Sequence, residues 1–209
     1  MLLAYIILWL SLQLLVSCQM IPTQRERHTA TVVDKKLFIL GGTPSYNTSL
    51  ITSEFFYLDV SGKFNTKALS WQDLSSNTIP QHQGAATAVG GVNNNTLFLY
   101  GGAKPADITM ALVYTYDPKS AIWITPNITG IYNIRKYGLT GIINNEGKMY
   151  LWGGTDTATL NDMNDMVILD TINLSFGIGA STVGAPSPRY FYGAVLLPDQ
   201  TILYMGKKY

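Results

Sequence analysis

Short apolar runs closed by glycine recur along the chain at a regular distance. Three of them end in a glycine pair, Leu37–Gly42, Leu97–Gly102 and Met149–Gly154, and a fourth, Ile202–Gly206, has Lys207 in place of the second glycine. The first glycines stand at positions 41, 101, 153 and 206, a period of about 50–60 residues. A period of this length predicts a repeated structural unit that stacks on copies of itself.

The segments around each run have the composition of further β-strands. A small-residue segment precedes the run, and a second apolar segment ending in aspartate follows it, before a lone large aromatic residue. The preceding segments are His28–Val33, Gly84–Val89, Gly138–Ile143 and Gly193–Leu197, and the following ones are Phe55–Asp59, Val113–Asp117 and Met166–Asp170. Each unit therefore predicts four short antiparallel strands joined by turns. The polar segment 155–164 is predicted to be a loop.

The glycine pairs and the lone aromatic residues are the structural repeat positions of this pattern. A glycine pair lets the backbone leave a strand with positive φ and leaves room for a neighbouring unit to pack closely. A large aromatic side chain on the last strand can wedge between adjacent sheets. These positions are Gly41, Gly42, Trp71, Gly101, Gly102, Trp123, Gly153, Gly154 and Phe176. Since four strands cannot bury both faces of a sheet alone, neighbouring units are expected to cover each other.

This arrangement resembles the kelch repeat, which forms one blade of a β-propeller. The most specific match is Asn164–Asp170, which lies between a glycine pair and Phe176. The resemblance implies an all-β fold, a β-propeller built of four-stranded antiparallel kelch blades. The blades are predicted at approximately 22–76, 77–129 and 130–183, with a partial blade at 184–209. A β-sandwich with accidental glycine pairs is the other fold that the pattern leaves open.

The number of repeats is too small for a closed ring. Propellers use about four to eight blades, and kelch propellers commonly have more than this chain supplies. The sequence therefore predicts an incomplete ring. Either the sequence is part of a longer protein, which we favour, or copies of the chain self-assemble to close the ring. An exposed strand edge would otherwise invite aggregation.

The N-terminal segment has the composition of a targeting sequence. Residues Leu2–Val16 are apolar except for Ser11 and Gln13, and this run is short for a membrane span of about 20 residues. We predict a signal peptide at 1–18, although no Lys or Arg precedes the apolar run. An uncleaved N-terminal anchor, a bacterial lipoprotein leader acylated at Cys18 and a buried element of the fold are the alternatives.

Four Asn-x-Ser/Thr sequons favour the same secretory address. Their acceptor residues, the predicted glycosylation sites, are Asn47, Asn94, Asn127 and Asn173. Each sequon alone is weak evidence, because such triplets arise by chance in sequences rich in Asn and Thr. Together with the leader they predict a glycoprotein of the secretory pathway, extracellular or at the cell surface.

Composition and charge exclude several classes of function. Lys and Arg total 14 against 13 for Asp and Glu, a net charge of +1, which argues against a nucleic-acid partner. Hydrophobic residues make up 47% of the chain, enough for a packed core. With only Cys18 and two histidines, the chain cannot form an internal disulfide, a multi-cysteine zinc site or a His-rich metal centre. We therefore predict no cofactor, no metal and no catalytic residue in this segment.

Three sets of residues need an explanation beyond the repeat. His28 and His82 lie near the start of a first strand and are interpreted as structural rather than as ligands. Arg27, Arg135 and Arg189 also recur there; a hydrogen-bonding role at the blade entrance is favoured over an anion-binding ring. The oxygen-rich cluster Asp156, Asn161, Asp162, Asn164 and Asp165 is interpreted as a solvated loop rather than a calcium site, because its spacing does not follow an EF-hand.

The sequence favours a binding module over an enzyme. In an antiparallel meander the loops joining strands two and three share one side with the links between blades, and they vary between copies, as binding loops do. These loops are 43–52, 103–110 and 155–163, with Tyr46, Tyr132 and Asn133 as candidate contacts. We predict a non-catalytic secreted or membrane-tethered module that binds protein or glycan partners. The alternative is part of a galactose oxidase-like or other carbohydrate-active propeller enzyme, whose catalytic residues would lie outside this chain.

Overall fold

The structure is a computed structural model that describes residues 21–47, 49–76, 79–130, 132–179 and 185–206. The predicted signal peptide at 1–18, Cys18 and the last three residues lie outside the described residues. The described part of the chain consists of strands and turns. No helix within it is long and apolar enough to span a membrane.

In the described residues, eighteen strands follow one another in four groups. The first group is β1 (Arg25–Glu26), β2 (Thr29–Val33), β3 (Lys36–Leu40), β4 (Thr43–Pro44), β5 (Phe55–Asp59) and β6 (Trp71–Asp73). The second is β7 (Ala86–Gly90), β8 (Thr96–Tyr100), β9 (Val113–Asp117) and β10 (Ile122–Ile124). The third is β11 (Lys136–Tyr137), β12 (Gly141–Ile143), β13 (Lys148–Trp152), β14 (Thr155–Asp156), β15 (Met166–Asp170) and β16 (Ser175–Ile178). The fourth is β17 (Gly193–Leu196) and β18 (Ile202–Met205).

Each of the first three groups forms a four-stranded antiparallel sheet, which we call a blade. The strand orders are β2-β3-β5-β6, β7-β8-β9-β10 and β12-β13-β15-β16, and β17 pairs with β18 in a partial fourth blade. The fold prediction is therefore confirmed: the described chain is all-β and matches an incomplete kelch propeller. One detail differs, because the start of the predicted loop 155–164 forms β14, a two-residue strand too short to show a period.

Local sequence explains the turns within each blade. Asp34 and Lys35 both have positive φ, of 46° and 63°, as a two-residue hairpin between twisted strands requires. The aspartate that ends each third strand caps the next turn with its Oδ1, accepting the backbone N–H two residues later. The three bonds are Ser61 N to Asp59 at 2.8 Å, Lys119 N to Asp117 at 2.9 Å and Ile172 N to Asp170 at 3.0 Å. The recurring aspartate is thus a turn residue.

The core lies between the blades. Phe38, Phe55, Tyr116 and other buried side chains fill the space between the first and second blades. A second cluster continues from the second blade through the third to the fourth, where Trp152 packs on Tyr192 with ring centroids 5.4 Å apart. Each blade therefore buries its apolar faces only when its neighbours are present.

The predicted aromatic wedges lie on the fourth strands. Trp123 on β10 reaches the preceding blade, with its ring centroid 5.4 Å from that of Phe55. Phe176 on β16 does the same, 6.2 Å from Tyr100. Trp71 on β6 occupies the matching face of the first blade and packs on Phe56 at 5.2 Å.

The blades are also joined by a chain of backbone hydrogen bonds along their first strands. Gly84 N donates to Arg27 O at 2.7 Å, Gly138 N to Gly84 O at 2.7 Å and Phe191 N to Gly138 O at 2.6 Å. All four residues have positive φ, between 48° and 72°. We call these four residues the inner seam. Glycine fits this conformation without strain, whereas Arg27 and Phe191 adopt it at some cost.

Candidate functional site

The loops predicted to share one side of the propeller do lie beside the links between blades. β1 pairs with β4, and β11 pairs with β14. In the second blade the same connection is a single bridge between Gln83 and Ala103. Each pairing joins the segment that leads into a first strand to the loop that follows the second strand. We call this side the loop face.

The glycine pairs hold each blade against the next one on this face. Gly42 N donates to His82 O at 2.8 Å, Gly102 N to Lys136 O at 2.9 Å and Gly154 N to Arg189 O at 3.0 Å. All six glycines of the three pairs have positive φ. The pairs therefore make the backbone contact between blades, and their carbonyl partners identify equivalent positions in successive blades.

The carbonyl partner carries a basic side chain in every blade. His82, Lys136 and Arg189 hold this position in blades two to four. Arg25 is the equivalent residue in the first blade, because each of the four lies two residues before its inner-seam residue. A second position lies just before the third strand. Its backbone carbonyl accepts a hydrogen bond from the N–H of the first glycine of the pair. The residues there in blades one to three are Glu54, Leu112 and Asp165. The second position holds an acid where the first holds Arg25 or Lys136, and it holds leucine where the first holds His82.

Two blades have an ion pair at this junction. The Arg25 guanidinium donates to the Glu54 carboxylate. Lys136, whose side chain is fully buried, donates from Nζ to Asp165 Oδ1 at 2.9 Å. Burial lowers the pKa of Lys136, and the hydrogen bond and charge of Asp165 oppose that shift. The Tyr132 hydroxyl donates to Asp165 Oδ2 at 3.0 Å, so a single carboxylate anchors two side chains.

The second blade replaces the ion pair by a neutral pair. His82 is completely buried, and the residue at the position of Glu54 and Asp165 is Leu112 rather than an acid. Its Nδ1 lies 2.8 Å from Pro80 O, whereas its Nε2 has no hydrogen-bond partner in the described structure. Burial, together with the charge of Arg135, lowers the pKa of His82 to about 4. His82 is therefore a packed, neutral side chain.

The buried neutral histidine predicts that the fold weakens in mild acid. The unfolded chain takes up a proton at His82 near pH 6.5, while the folded chain resists protonation until about pH 4. The contribution of neutral His82 to the free energy of unfolding is therefore complete above pH 6.5 and is lost as the pH falls towards 4. Between pH 7 and pH 5 the loss is about 2 kcal/mol, measurable by urea unfolding at each pH.

A variant isolates this effect from that of other groups. His82→Asn keeps an N–H near Nδ1, and we expect its free energy of unfolding to change much less between pH 7 and pH 5. His28, whose pKa is also lowered by burial, contributes with the same sign in both proteins and cancels in the comparison. An equal acid sensitivity of the two proteins would contradict this role of His82.

The recurring arginines mainly hold backbone carbonyls. Arg135 donates to Gly101 O at 2.8 Å and also to the carbonyls of Met110 and Ala111, and Arg189 donates to Gly206 O at 3.2 Å. Arg25 makes the corresponding bond to Gly41 O at 3.1 Å. The expectation that grouped Arg27 with Arg135 and Arg189 is corrected: Arg25 is the residue equivalent to Arg189. In the third blade Lys136 holds that position, and Arg135 stands one residue before it. Arg27 lies two residues after Arg25, in the inner seam.

A pocket opens on the loop face between the second and third blades, with a volume of about 440 Å³. Arg27, Lys104 and Arg135 contribute its charge, and Tyr137 and Leu160 contribute apolar surface. None of the described residues that line it carries a carboxylate. Arg27 remains exposed, with Nε 3.5 Å from Glu26 and a hydrogen bond of 3.4 Å to Gln83 Oε1. Among the described residues, Lys104 donates only to the carbonyl of Pro105. We call this the basic pocket.

The other candidate contacts have mixed environments. Tyr46 is 75% exposed on the loop face. Tyr132, by contrast, is half-buried and bonded to Asp165, and burial with that carboxylate raises its pKa. Tyr132 and Asn133 line a second groove on the loop face together with Asn127.

The carboxylates of the oxygen-rich segment 156–165 accept hydrogen bonds from within the chain. Asp156 caps its own turn through Ala158 N and the Thr159 hydroxyl, both at 2.8 Å. Asp162 accepts from the Thr155 hydroxyl at 2.8 Å, and Asp165 holds Lys136. No group of three or more His, Cys, Asp or Glu side chains in the described part of the chain is arranged to hold a metal ion.

The four predicted glycosylation sites divide between the two sides of the propeller. All four asparagines are exposed. Asn47 and Asn127 lie on the loop face, in a strand-two to strand-three loop and in a link between blades. Asn94 and Asn173 lie in hairpin turns on the opposite side. Asn173 is held by a hydrogen bond of 2.7 Å from its Nδ2 to Asp170.

Comparison with known proteins places the repeat in a described family. The KLHDC2/KLHL20/DRC7 Kelch-repeats domain matches residues 27–209. Kelch domain-containing protein 3 of Rattus norvegicus is 25% identical over 194 residues, which cover 88% of this chain and 49% of that protein. The Homo sapiens protein of the same name is 24% identical over 195 residues, with the same coverage. Alpha-scruin of Limulus polyphemus is 21% identical over 150 residues, 70% of this chain and 15% of that protein. The chain thus spans about half the length of the first relatives that it matches.

Proposed function

The chain belongs to the kelch-repeat family, and on that premise we propose that it is part of a non-catalytic propeller that binds a protein partner through its loop face. The basic pocket carries this proposal. Two cationic side chains, Arg27 and Lys104, border a concave surface that has no carboxylate among its described lining residues. Apolar surface from Tyr137 and Leu160 lies beside them, and Leu160 is 71% exposed.

This combination favours an acidic segment of a protein. A carboxylate that approaches Lys104 gains a charge-assisted hydrogen bond, and neighbouring apolar side chains of the partner can cover Leu160. A neutral glycan, the other ligand class that the sequence left open, gains nothing comparable from two cations. The apolar leader and the four sequons support a secreted or membrane-tethered protein, and we propose that the partner is met in that compartment.

Charge reversal at the pocket is expected to remove binding. Peptides selected from a random displayed library on the wild-type chain should be enriched in Asp and Glu. The Lys104→Glu variant should bind them at least about tenfold more weakly, because a charge-assisted hydrogen bond contributes about 1.5–3 kcal/mol. Dissociation constants measured by calorimetry with the purified peptides check this.

Lys119→Glu is the matched control for this test. Lys119 lies in the turn after β9, on the opposite side of the blade, beside a different pocket. It changes the net charge by the same amount and should leave peptide affinity unchanged. Selection of peptides without acidic residues, or equal losses from the two variants, would argue against the basic pocket as the binding site.

A further inference from the structure

The groove beside Asn127 is a second concave surface on the loop face, with a volume of about 340 Å³. It lies between the start of β9 and the link between the second and third blades. Leu112, Val113 and Ile128 give it an apolar floor, and the rings of Tyr132 and Phe176 form an aromatic wall. Unlike the basic pocket, it has no charged side chain among its described lining residues.

The position of Asn127 in this groove is fixed by backbone bonds. Thr129 N donates to Leu174 O and Phe176 N donates to Thr129 O, both at 2.9 Å. The sequon therefore runs alongside β16, and Asn127 lies two residues before Thr129, the residue bonded to Phe176. Gly130, with φ of 103°, allows the close approach, since an added Cβ would lie 2.9 Å from Phe176 O.

The Asn127 side chain is free to carry a substituent. It is exposed, it lines the groove, and its amide makes no hydrogen bond with any described residue. In this it differs from Asn173, whose Nδ2 is bound to Asp170. The aromatic wall is well supported, because Tyr132 and Phe176 pack with ring centroids 5.8 Å apart and Phe176 also packs on Tyr100.

We propose that Asn127 is N-glycosylated and that its first sugar lies in this groove against Phe176 and Tyr132. In the transfer, Asn127 Nδ2 takes the oligosaccharide from a lipid-pyrophosphate donor, the lipid pyrophosphate leaves and the amide loses one proton. The apolar face of a pyranose ring presents C–H groups, which are attracted to the negative face of an aromatic ring. The covalent link keeps the sugar close to the wall, so a weak contact is enough to hold it. The sugar covers apolar surface that would otherwise face water and leaves the basic pocket open. This inference rests on the secretory address in the proposed function.

The occupancy of the sequons is the first measurement. The full chain is expressed with its own leader in a eukaryotic host, and each asparagine is assessed by peptide mass spectrometry after enzymatic release of N-glycans. Sugar on Asn127 supports the proposal. Sugar on other sequons but not on Asn127 overturns it and leaves the secretory address intact. Sugar on none of the sequons removes the secretory address and this inference together.

The contact with the aromatic wall is the second measurement. Asn127→Gln should lower Tm by about 2–4 °C, the range that a small loss of stability gives in a chain of this size. In the Phe176→Leu background, which keeps an apolar side chain but removes one of the two rings, Asn127→Gln should lower Tm by less than half as much. Asn94→Gln is the control, and its effect should be the same in both backgrounds. A Tm change from Asn127→Gln that is absent, or that is as large without Phe176, overturns the proposal.

Discussion

Gly101→Ala is expected to destabilise the chain by about 3–4 kcal/mol. Gly101 has φ of 71°, and an added Cβ would lie 2.3 Å from Lys136 O in the next blade. That carbonyl cannot move freely, because it accepts the hydrogen bond from Gly102 N that joins the two blades. Its displacement would also disturb the buried Lys136 side chain and the ion pair with Asp165. Urea unfolding followed by tryptophan fluorescence measures the loss.

Gly62→Ala is the matched control for this prediction. No atom lies within 4 Å of a Cβ added at Gly62, which lies in the connection between β5 and β6. The free energy of unfolding should therefore change by less than about 0.5 kcal/mol. If both alanine variants were equally stable, the glycine pair would not be the contact between blades that the geometry indicates.

The features predicted best from the sequence are the residues that recur in every blade with little change. The glycine pairs and the strand-ending aspartates repeat because each performs the same backbone task in every blade: the contact with the next blade, or the cap of a turn. Positive φ at Gly41 and Gly42 could be predicted from the glycines themselves. The aromatic wedges of Trp123 and Phe176 could also be predicted, because a lone large aromatic residue follows the strand-ending aspartate in each unit.

The links between blades could not be aligned from the sequence, because they differ in length. Counting back from the first strand placed Arg27 beside Arg135 and Arg189. The structure instead aligns Arg25 with Arg189 and puts Arg27 in the inner seam, where blades two and three have Gly84 and Gly138. A bulky residue with positive φ, as at Phe191 with 48°, gives no sequence signal, since most residues avoid that conformation.

The paired changes at the blade junction were missed for a related reason. Lys136 and Asp165 are 29 residues apart in sequence, and Asp165 stands in a run of acidic and amide residues that reads as a solvated loop. The pair has no fixed spacing from the glycines: Arg25 and Lys136 stand 16 and 17 residues before Gly41 and Gly153, and Glu54 and Asp165 stand 13 and 12 residues after them. Aligning the blades on these glycines therefore brings Arg25 with Lys136, and Glu54 with Asp165, only to within one residue of register.

The last expected result tests whether this junction is a paired unit. Asp165→Leu places in the third blade the leucine that the second blade has at the equivalent position, Leu112. The basic position of the third blade remains Lys136, whereas the second blade has a histidine there. We expect a loss of about 3–5 kcal/mol, because Lys136 would keep a fully buried charge without a counter-ion. Tyr132 would also lose the acceptor of its hydroxyl. Urea unfolding at pH 7 measures the change.

Adding Lys136→His to Asp165→Leu recreates the neutral pair of the second blade. If the two positions act as a unit, the double variant should recover about 1–3 kcal/mol of the loss, the size of coupling that contacting residues show. Asp107→Leu, which removes an exposed acid of the loop face, should change stability by less than about 0.5 kcal/mol. If the double variant is no more stable than Asp165→Leu alone, the His–Leu pair of the second blade cannot replace the Lys–Asp pair of the third blade. The side chains at the junction would then depend on the wider packing of each blade rather than on each other.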